Sequence, residues 1–192
     1  MGHMLVMPVV VDLEKFRPRE KIPNTVAFVG RLTLEKNLFP LLTAMYRVKR
    51  WASLHVYGDG PLQKEYQKVQ VKLGFLVWWY GSLSNDSIAL ALGEMEYLVV
   101  PSLYDQAPKV LLEGMACGCL VIASYPLHHM VEDGITGYLC DPTSVGIAEA
   151  LRRARDDPNR EQVRANALEL VRSRHGSEKA MEAEREIIRC LK

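Results

Sequence analysis

The sequence predicts an α/β fold built on a doubly wound parallel sheet of the Rossmann-like kind. Short apolar runs rich in β-branched and aromatic residues recur along the 192-residue chain, and segments with helical periodicity separate them. These strand-like runs are apolar throughout, which is typical of parallel strands that are buried on both faces. An apolar fraction of 48% is enough for one core of ordinary size.

The individual elements follow from the same pattern and from the residues that end it. Strands are expected at residues 26–30, 54–58, 76–81, 97–100, 120–123 and around 138–140. Helices are expected at residues 37–50, 61–74, 84–93, 108–118 and 143–155, and two further amphipathic helices at 163–171 and 180–191. Proline or serine stands at the start of several of these helices, and glycine follows the end of others. A short helical turn is expected near His129.

Domain boundaries are read from composition. The opening Met-Gly-His-Met, residues 1–4, is interpreted as a cloning remnant, and one domain is expected over residues 5–192. Residues 8–23 carry three prolines and many charges, which is typical of a linker.

Charge and cysteine usage exclude several classes of function. A formal net charge of +1 and the absence of a long basic run argue against nucleic acid binding. The four cysteines lack the spacing of a metal site and are interpreted as free thiols, which favours a reducing, cytoplasmic location. No apolar run is long enough for a membrane span or a signal peptide.

The loops after the strands should carry the function, because ligands of such sheets bind at the carboxyl ends of the strands. Gly30, Arg31 and Lys36 follow the first strand. The glycine lets a ligand approach the backbone, and the two cations can hold phosphate oxygens. The alternative is a solvated loop in which Glu35 pairs with Arg31.

The next two loops are less specific. GDGPLQ, residues 58–63, begins like a dinucleotide-binding fingerprint, but it lacks the third glycine and a later acid, so its glycines are expected to serve the turn. Trp78 and Trp79 are expected in the core. The backbone at Ser82 and Leu83 can support a flat nucleotide base.

Two acids follow the fourth strand. Asp105 lies in the loop, and Glu113 lies in the helix that Pro108 opens. A carboxylate accepts two hydrogen bonds, which suits the vicinal diol of a ribose. Glu113 would then hold a nucleoside, and Asp105 would lie nearer the reacting part of the ligand. The alternative is a surface acid together with a helix-capping acid.

These motifs together resemble the donor-binding half of retaining GT-B glycosyltransferases of the glycogen-synthase and mannosyltransferase type. VAFVGRLTLEKN, residues 26–37, is similar to the first strand and loop of that half. Residues 98–124, LVVPSLYDQAPKVLLEGMACGCLVIAS, resemble its acid–seven residues–acid segment, and EDGITGYL, residues 132–139, resembles its closing motif. MPVVVDLEKFRP, residues 7–18, resembles the strand that follows the crossover from the acceptor domain.

The resemblance implies a role for each matched position. Arg31 and Lys36 would neutralise the diphosphate leaving group, and Asp105 would lie near the donor sugar, so these three form the expected catalytic set. Glu113 would hold the ribose. The other expected donor-binding positions are Gly30, Ser82, Leu83, Gln106, Ala107, Pro108 and Lys109.

The resemblance also implies the partners. The donor is a nucleoside-diphosphate sugar of the UDP or GDP type, and no cofactor or metal is expected, since no Asp-x-Asp motif is present. An N-terminal acceptor domain is missing, so either the chain is truncated or a separate chain supplies that domain. Contact with a membrane is expected only through a lipid-linked acceptor. As an isolated domain the chain is expected to be inactive.

Three departures from the family pattern leave two alternatives open. Asp105 replaces a longer glutamate, Gln106 and Ala107 replace Gly-Phe, and the loop at residues 125–130 is about two residues shorter. His128 and His129 in that loop are expected to be structural or rim residues. The alternatives are a non-catalytic nucleotide-sugar-binding module and a GT-B-fold sugar-nucleotide epimerase.

Overall fold

A six-stranded parallel sheet forms the centre of the protein. The computed structural model describes residues 9–104 and 108–176. The strands are β1 (Ile22–Val29), β2 (Ser53–Tyr57), β3 (Val77–Gly81), β4 (Met95–Val100), β5 (Leu120–Ser124) and β6 (Tyr138–Cys140), in the order β3-β2-β1-β4-β5-β6. The helices are α1 (Leu38–Val48), α2 (Gln63–Leu73), α3 (Asn85–Glu94), α4 (Lys109–Ala116), α5 (Ser144–Asp156) and α6 (Arg160–His175). The predicted doubly wound α/β fold is confirmed.

The strands separate two apolar cores. Val26 and Phe28 of β1 face the core formed with α1, α2 and α5, whereas Ala27 between them faces the core formed with α3, α4 and α6. This alternation follows from the two-residue period of a strand, and it explains why the central strands carry apolar residues on both faces. The strand order reverses between β1 and β4, so a ligand is expected above the carboxyl ends of these strands.

The segment before β1 differs from its prediction as a linker. Val11 and Phe16 are buried in the second core, and the backbone N–H of Val11 donates to the carbonyl of His175 at 2.9 Å. In the described part of the segment, Pro18 and the charged residues lie among apolar side chains that pack on the domain. The predicted helix at residues 180–191 and the expected remnant at residues 1–4 lie outside the described residues.

Lys21 ties this segment to two helices. Its ammonium group donates to the carbonyl oxygens of Gly93 at 2.8 Å, Cys117 at 2.7 Å and Leu92 at 3.2 Å, at the carboxyl ends of α3 and α4. A cation is favourable there because the last carbonyls of a helix lack partners within it. Burial lowers the pKa of Lys21, and the three carbonyls provide the hydrogen bonds that a buried ammonium needs.

The tryptophan prediction is half correct. Trp79 packs partly buried against the first core, but Trp78 on the opposite face of β3 is 48% exposed. The cause is the position of β3 at the sheet edge, where α2 covers one face and α3 packs on β4 rather than on β3.

Cys117, Cys119 and Cys140 are buried free thiols, and Cys190 lies outside the described residues. Within the described ranges no helix is both long and apolar enough to cross a membrane.

Two glycines let the loops after β1 and β2 touch backbone to backbone. A Cβ atom on Gly58 would collide with the carbonyl of Gly30, and one on Gly60 would lie 2.6 Å from the backbone N of Leu32. The contact is sealed by hydrogen bonds from Leu32 N to Asp59 O at 2.7 Å and from Leu62 N to Leu32 O at 3.1 Å. The glycines therefore serve the contact between two loops as well as the turn.

Gly58→Ala should destabilise the protein clearly more than Gly134→Ala. Both glycines have positive φ, at 133° and 73°, but an added Cβ meets nothing within 4 Å at Gly134. The control should lose about 1–2 kcal/mol from its backbone conformation. Gly58→Ala should lose a further ~1–3 kcal/mol, the usual cost of overpacking. Urea denaturation measures both, and equal losses would contradict the close approach of the loops.

Candidate functional site

A cavity of about 320 Å³ lies above the carboxyl ends of β1, β2 and β3. Four predicted donor-binding residues line it: Gly30, Arg31, Ser82 and Leu83. A larger depression of about 530 Å³ lies along α2, but residues of that helix alone line it and it meets no strand end. The smaller cavity is therefore the candidate site, because it lies at the carboxyl ends of the strands and begins at β1, one of the two strands of the switch point.

Backbone hydrogen bonds between neighbouring loops hold the floor of this cavity. Gly30 N donates to Tyr57 O at 3.0 Å, and Gly58 N donates to Gly81 O at 2.7 Å. Each strand end is thus fastened to the next. A site built this way is preorganised, since the loops keep their spacing without a ligand.

The loop after β4 is joined to the same framework. Leu103 N donates to Glu35 O at 2.9 Å. The side-chain amide of Asn37 donates to the carbonyls of Pro101 and Pro142, both at 3.0 Å. Asn37 adopts a left-handed conformation with φ of 58°, which asparagine tolerates better than most residues. One side chain therefore fixes the β1–α1 loop to the ends of β4 and β6.

Two cations extend from the β1–α1 loop. Arg31 is exposed, and the Lys36 chain runs beside Gly30, with its Cδ 3.9 Å from the place that a Cβ on the glycine would occupy. No ion pair joins Arg31 to Glu35 among the residues that the structure describes. Glu35 therefore forms no direct pair with Arg31 in the described structure. Hydrogen bonds from its own backbone and from Thr33 lower the pKa of its carboxyl, and Lys36 and Arg31 add to this effect.

Glu113 is the buried acid of α4. Its side chain is 11% exposed, and one carboxylate oxygen lies 3.9 Å from the ammonium group of Lys109. Burial raises the pKa of Glu113, and Lys109 opposes the effect. The alternative reading as a capping acid is wrong, because the N-cap of α4 is Pro108 and Glu113 lies a turn further on. Glu113 does not line the cavity at the ends of β1 to β3.

Asp105, Gln106 and Ala107 lie outside the described residues, so their predicted roles stay predictions. Their neighbours are described: Tyr104 is 82% exposed, and Pro108 is buried at the start of α4. No group of three or more His, Cys, Asp or Glu side chains in residues 9–104 and 108–176 could hold a metal ion.

The loop after β5 forms a separate rim. Tyr125–Leu127 is a 3₁₀ turn, and Nδ1 of His128 donates to the carbonyl of Tyr125 at 2.9 Å. His128 and His129 border another surface cavity, of about 480 Å³, together with residues of α6. This placement agrees with the expected structural or rim role of the two histidines.

Tyr57 and Asp59 also line the candidate site, and the sequence analysis did not include them. The signal was available, since both flank Gly58 directly after the second strand. The ring of Tyr57 stacks on Tyr80 with 4.6 Å between centroids, so its position is fixed by β3. Burial raises the pKa of the Tyr57 phenol, so this group stays protonated at neutral pH.

Comparison with known proteins decides the family. The family model described as "Glycosyl transferases group 1" matches residues 23–157. The chain belongs to this family. Glycogen synthase of Mycobacterium tuberculosis is 31% identical to this glycosyltransferase chain over 159 residues, which cover 79% of the chain and 38% of that protein. Lipopolysaccharide 1,2-N-acetylglucosaminetransferase of Salmonella typhimurium is 30% identical over 172 residues, covering 81% and 45%.

Solved structures show the same fold in larger proteins. Sucrose-phosphate synthase from Thermosynechococcus elongatus matches with a TM-score of 0.83 and 26% identity, covering 96% of this chain and 52% of that one. Anabaena HepE, solved in complex with UDP-glucose, matches with a TM-score of 0.81 and 19% identity, covering 95% and 55%. This group 1 glycosyltransferase chain therefore spans about half the length of these proteins, as one half of a GT-B fold.

Glu113→Gln should stabilise the unliganded protein at pH 7 by about 1 kcal/mol, the scale of a poorly compensated buried polar group. A raised pKa means that folding disfavours the ionised carboxylate. This loss of folding stability is present at neutral pH. It disappears as the pH falls through the raised pKa of the folded protein towards the ordinary pKa of a glutamate.

The stability difference between Glu113→Gln and the parent protein should therefore shrink on acidification. Thermal unfolding between pH 7 and pH 4.5 measures it. Glu149→Gln on the exposed face of α5 is the matched control and should change little at any pH. A destabilised Glu113→Gln protein at pH 7 would contradict the argument from burial.

Proposed function

We propose that this chain is the nucleotide-sugar-binding domain of a retaining glycosyltransferase. The enzyme would move a sugar from a nucleoside-diphosphate sugar to an acceptor hydroxyl, with retention at the anomeric carbon. The observation that carries the proposal is the cavity that brings Gly30, Arg31, Ser82 and Leu83 together at the strand ends, with Lys36 beside Gly30. Family membership supports glycosyl transfer, and the UDP-glucose bound to HepE supports a uridine donor.

The phosphate end of the donor is assigned to Arg31 and Lys36. One cation about 4 Å from a phosphate charge gains roughly 4 kcal/mol at an effective dielectric near 20. Charge builds up on the diphosphate as the glycosidic bond breaks, so fixed cations stabilise the transition state more than the ground state. The first turn of α4 has no side-chain cap, and its N–H groups would add to this field. These groups would replace a divalent cation.

The nucleoside end is assigned to Ser82, Leu83 and Glu113. Backbone at residues 82 and 83 would lie against the base. The Glu113 carboxylate, which is buried and in the described residues pairs with Lys109 at 3.9 Å, would accept hydrogen bonds from the two ribose hydroxyls. A ligand that supplies these donors relieves the cost of burying the carboxylate, which explains why a costly acid is kept on α4.

The sugar end is assigned to Asp105 and to the backbone from Gln106 to Lys109. Asp105 would stand beside the donor sugar near the bond that breaks. The acceptor and the groups that position it would lie on an N-terminal domain or on a separate chain. Transfer from donor to acceptor distinguishes this enzyme from a binding module, which would bind the donor without turnover. An epimerase would convert the donor without any acceptor.

Arg31→Ala and Lys36→Ala should each weaken UDP or GDP binding far more than binding of the bare nucleoside. Loss of a charge-assisted hydrogen bond costs about 1.5–3 kcal/mol, or roughly 10- to 150-fold in affinity. Titration calorimetry measures both ligands against the parent protein.

Lys64→Ala, which removes an exposed cation from α2, is the matched control and should leave both affinities unchanged. Equal losses for nucleotide and nucleoside would mean that the two cations act through folding. Binding should persist in EDTA, and strict dependence on magnesium would count against the proposed mechanism.

The 192-residue chain should bind donor but transfer no sugar. Positioning of two reactants supplies roughly 7–11 kcal/mol of a barrier, and a domain without acceptor groups cannot provide it. The assay compares this chain with a form that carries the acceptor domain, on the same donor and acceptor. Comparable turnover by both would contradict the two-domain assignment.

A further inference from the structure

Among the residues that the structure describes, an exposed aromatic row lies on the outer edge of the sheet. Leu76, directly before β3, and Trp78 and Tyr80 within it occupy alternate positions and are 62%, 48% and 43% exposed. His55 of β2 lies between the two rings, with centroids 6.3 Å from Trp78 and 5.9 Å from Tyr80. Single exposed apolar residues are ordinary, but a contiguous row on an edge strand is the usual mark of an interaction surface.

The strand that carries this row also lacks the residues that normally prevent an edge strand from pairing with another strand. From Phe75 to Ser84 the chain has neither a charged residue nor a proline. Proteins normally protect a free edge with lysine, proline or a covering element, because its unpaired N–H and C=O groups bind another strand. The opposite edge is protected, since β6 spans only Tyr138–Cys140, is buried, and packs against α5.

We propose that β3 pairs with β3 of a second copy of this chain, antiparallel about a two-fold axis. The occupant must be an extended strand, because only a strand satisfies the backbone groups of the edge. Self-pairing of a charged strand would place like charges opposite each other, but β3 has none to oppose. The same surface then meets itself, as a two-fold interface requires.

The charges around the strand also suit an antiparallel copy. Lys72 lies in the last turn of α2, at the amino end of the strand. Asp86 lies in the first turn of α3, at its carboxyl end, where one carboxylate oxygen pairs with Lys15 at 2.6 Å while the side chain stays 77% exposed. Antiparallel pairing brings the basic end of each strand towards the acidic end of the other. A parallel arrangement would bring like ends together.

The geometry fixes the register. Opposed residues in an antiparallel pair point to the same face, and the overlap of Val77–Gly81 with itself is longest when the axis passes Trp79. Trp78 then lies opposite Tyr80 of the second copy, twice across the interface. An edge of this length buries less than the roughly 1,200 Å² of a stable complex. The dimer should therefore be weak, with a dissociation constant on the order of 10 µM to 1 mM.

Sedimentation velocity over a concentration series tests the proposal. The parent chain should shift from monomer to dimer in the upper micromolar range. Trp78→Lys and Tyr80→Lys, which place a charge on the edge, should each weaken the dimer at least about tenfold. Tyr46→Lys is the matched control: it replaces the same residue type at the same exposure, 43%, on α1, and it should dimerise like the parent.

A disulfide test covers the case in which the lysine variants fold poorly. In a Cys190→Ser background, a mixture of Trp78→Cys and Tyr80→Cys proteins should form a cross-linked heterodimer on mild oxidation, because opposed side chains in a pair are close enough to bond. Trp78→Cys alone should cross-link far less.

A chain that stays monomeric at millimolar concentration would overturn the proposal. So would a dimer that persists in both lysine variants, because another surface would then carry it. Equal cross-linking of the mixture and of Trp78→Cys alone would contradict the register and the two-fold arrangement.

Discussion

The backbone contact between the loops after β1 and β2 is the constraint on which the site depends. Gly58 and Gly60 permit it, and the hydrogen bond from Leu32 N to Asp59 O at 2.7 Å maintains it. Together with the side-chain amide of Asn37, the contact holds the loop that carries Arg31 and Lys36 at the strand ends. For the proposed binding of a diphosphate, this support keeps both residues where the ligand would lie, so that little has to be reorganised on binding.

Glu113 is unfavourable for the stability of the free protein, but it is proposed to favour ligand binding. Burial raises the pKa of its carboxylate, and in the described residues the nearest cation is the Lys109 ammonium at 3.9 Å. Local rules of burial and pairing are usually broken where a protein prepares for a ligand. The same residue can therefore be a small cost to the free chain and a gain to its complex.

The fold was largely predictable, because parallel strands and amphipathic helices leave strong periodic signals. The strand-end residues Gly30, Arg31, Ser82 and Leu83 were predictable for the same reason, since topology alone brings strand ends together. It was not predictable which faces of the sheet are covered by helices and which are exposed to solvent. Trp78 looked like a core residue because its neighbours are apolar, but which strand forms the sheet edge is decided by long-range pairing that no local pattern records.

The two ends of the described chain lie side by side. Nδ1 of His175 donates to the carbonyl of Val9 at 2.8 Å, and Val11 N donates back to His175 O at 2.9 Å. These two hydrogen bonds join both ends of the described chain at one place on the surface of the domain. A force applied through either end would act on the contact between α6 and residues 9–11. The domain would then rotate as a rigid unit about this contact, and the sheet would keep its shape.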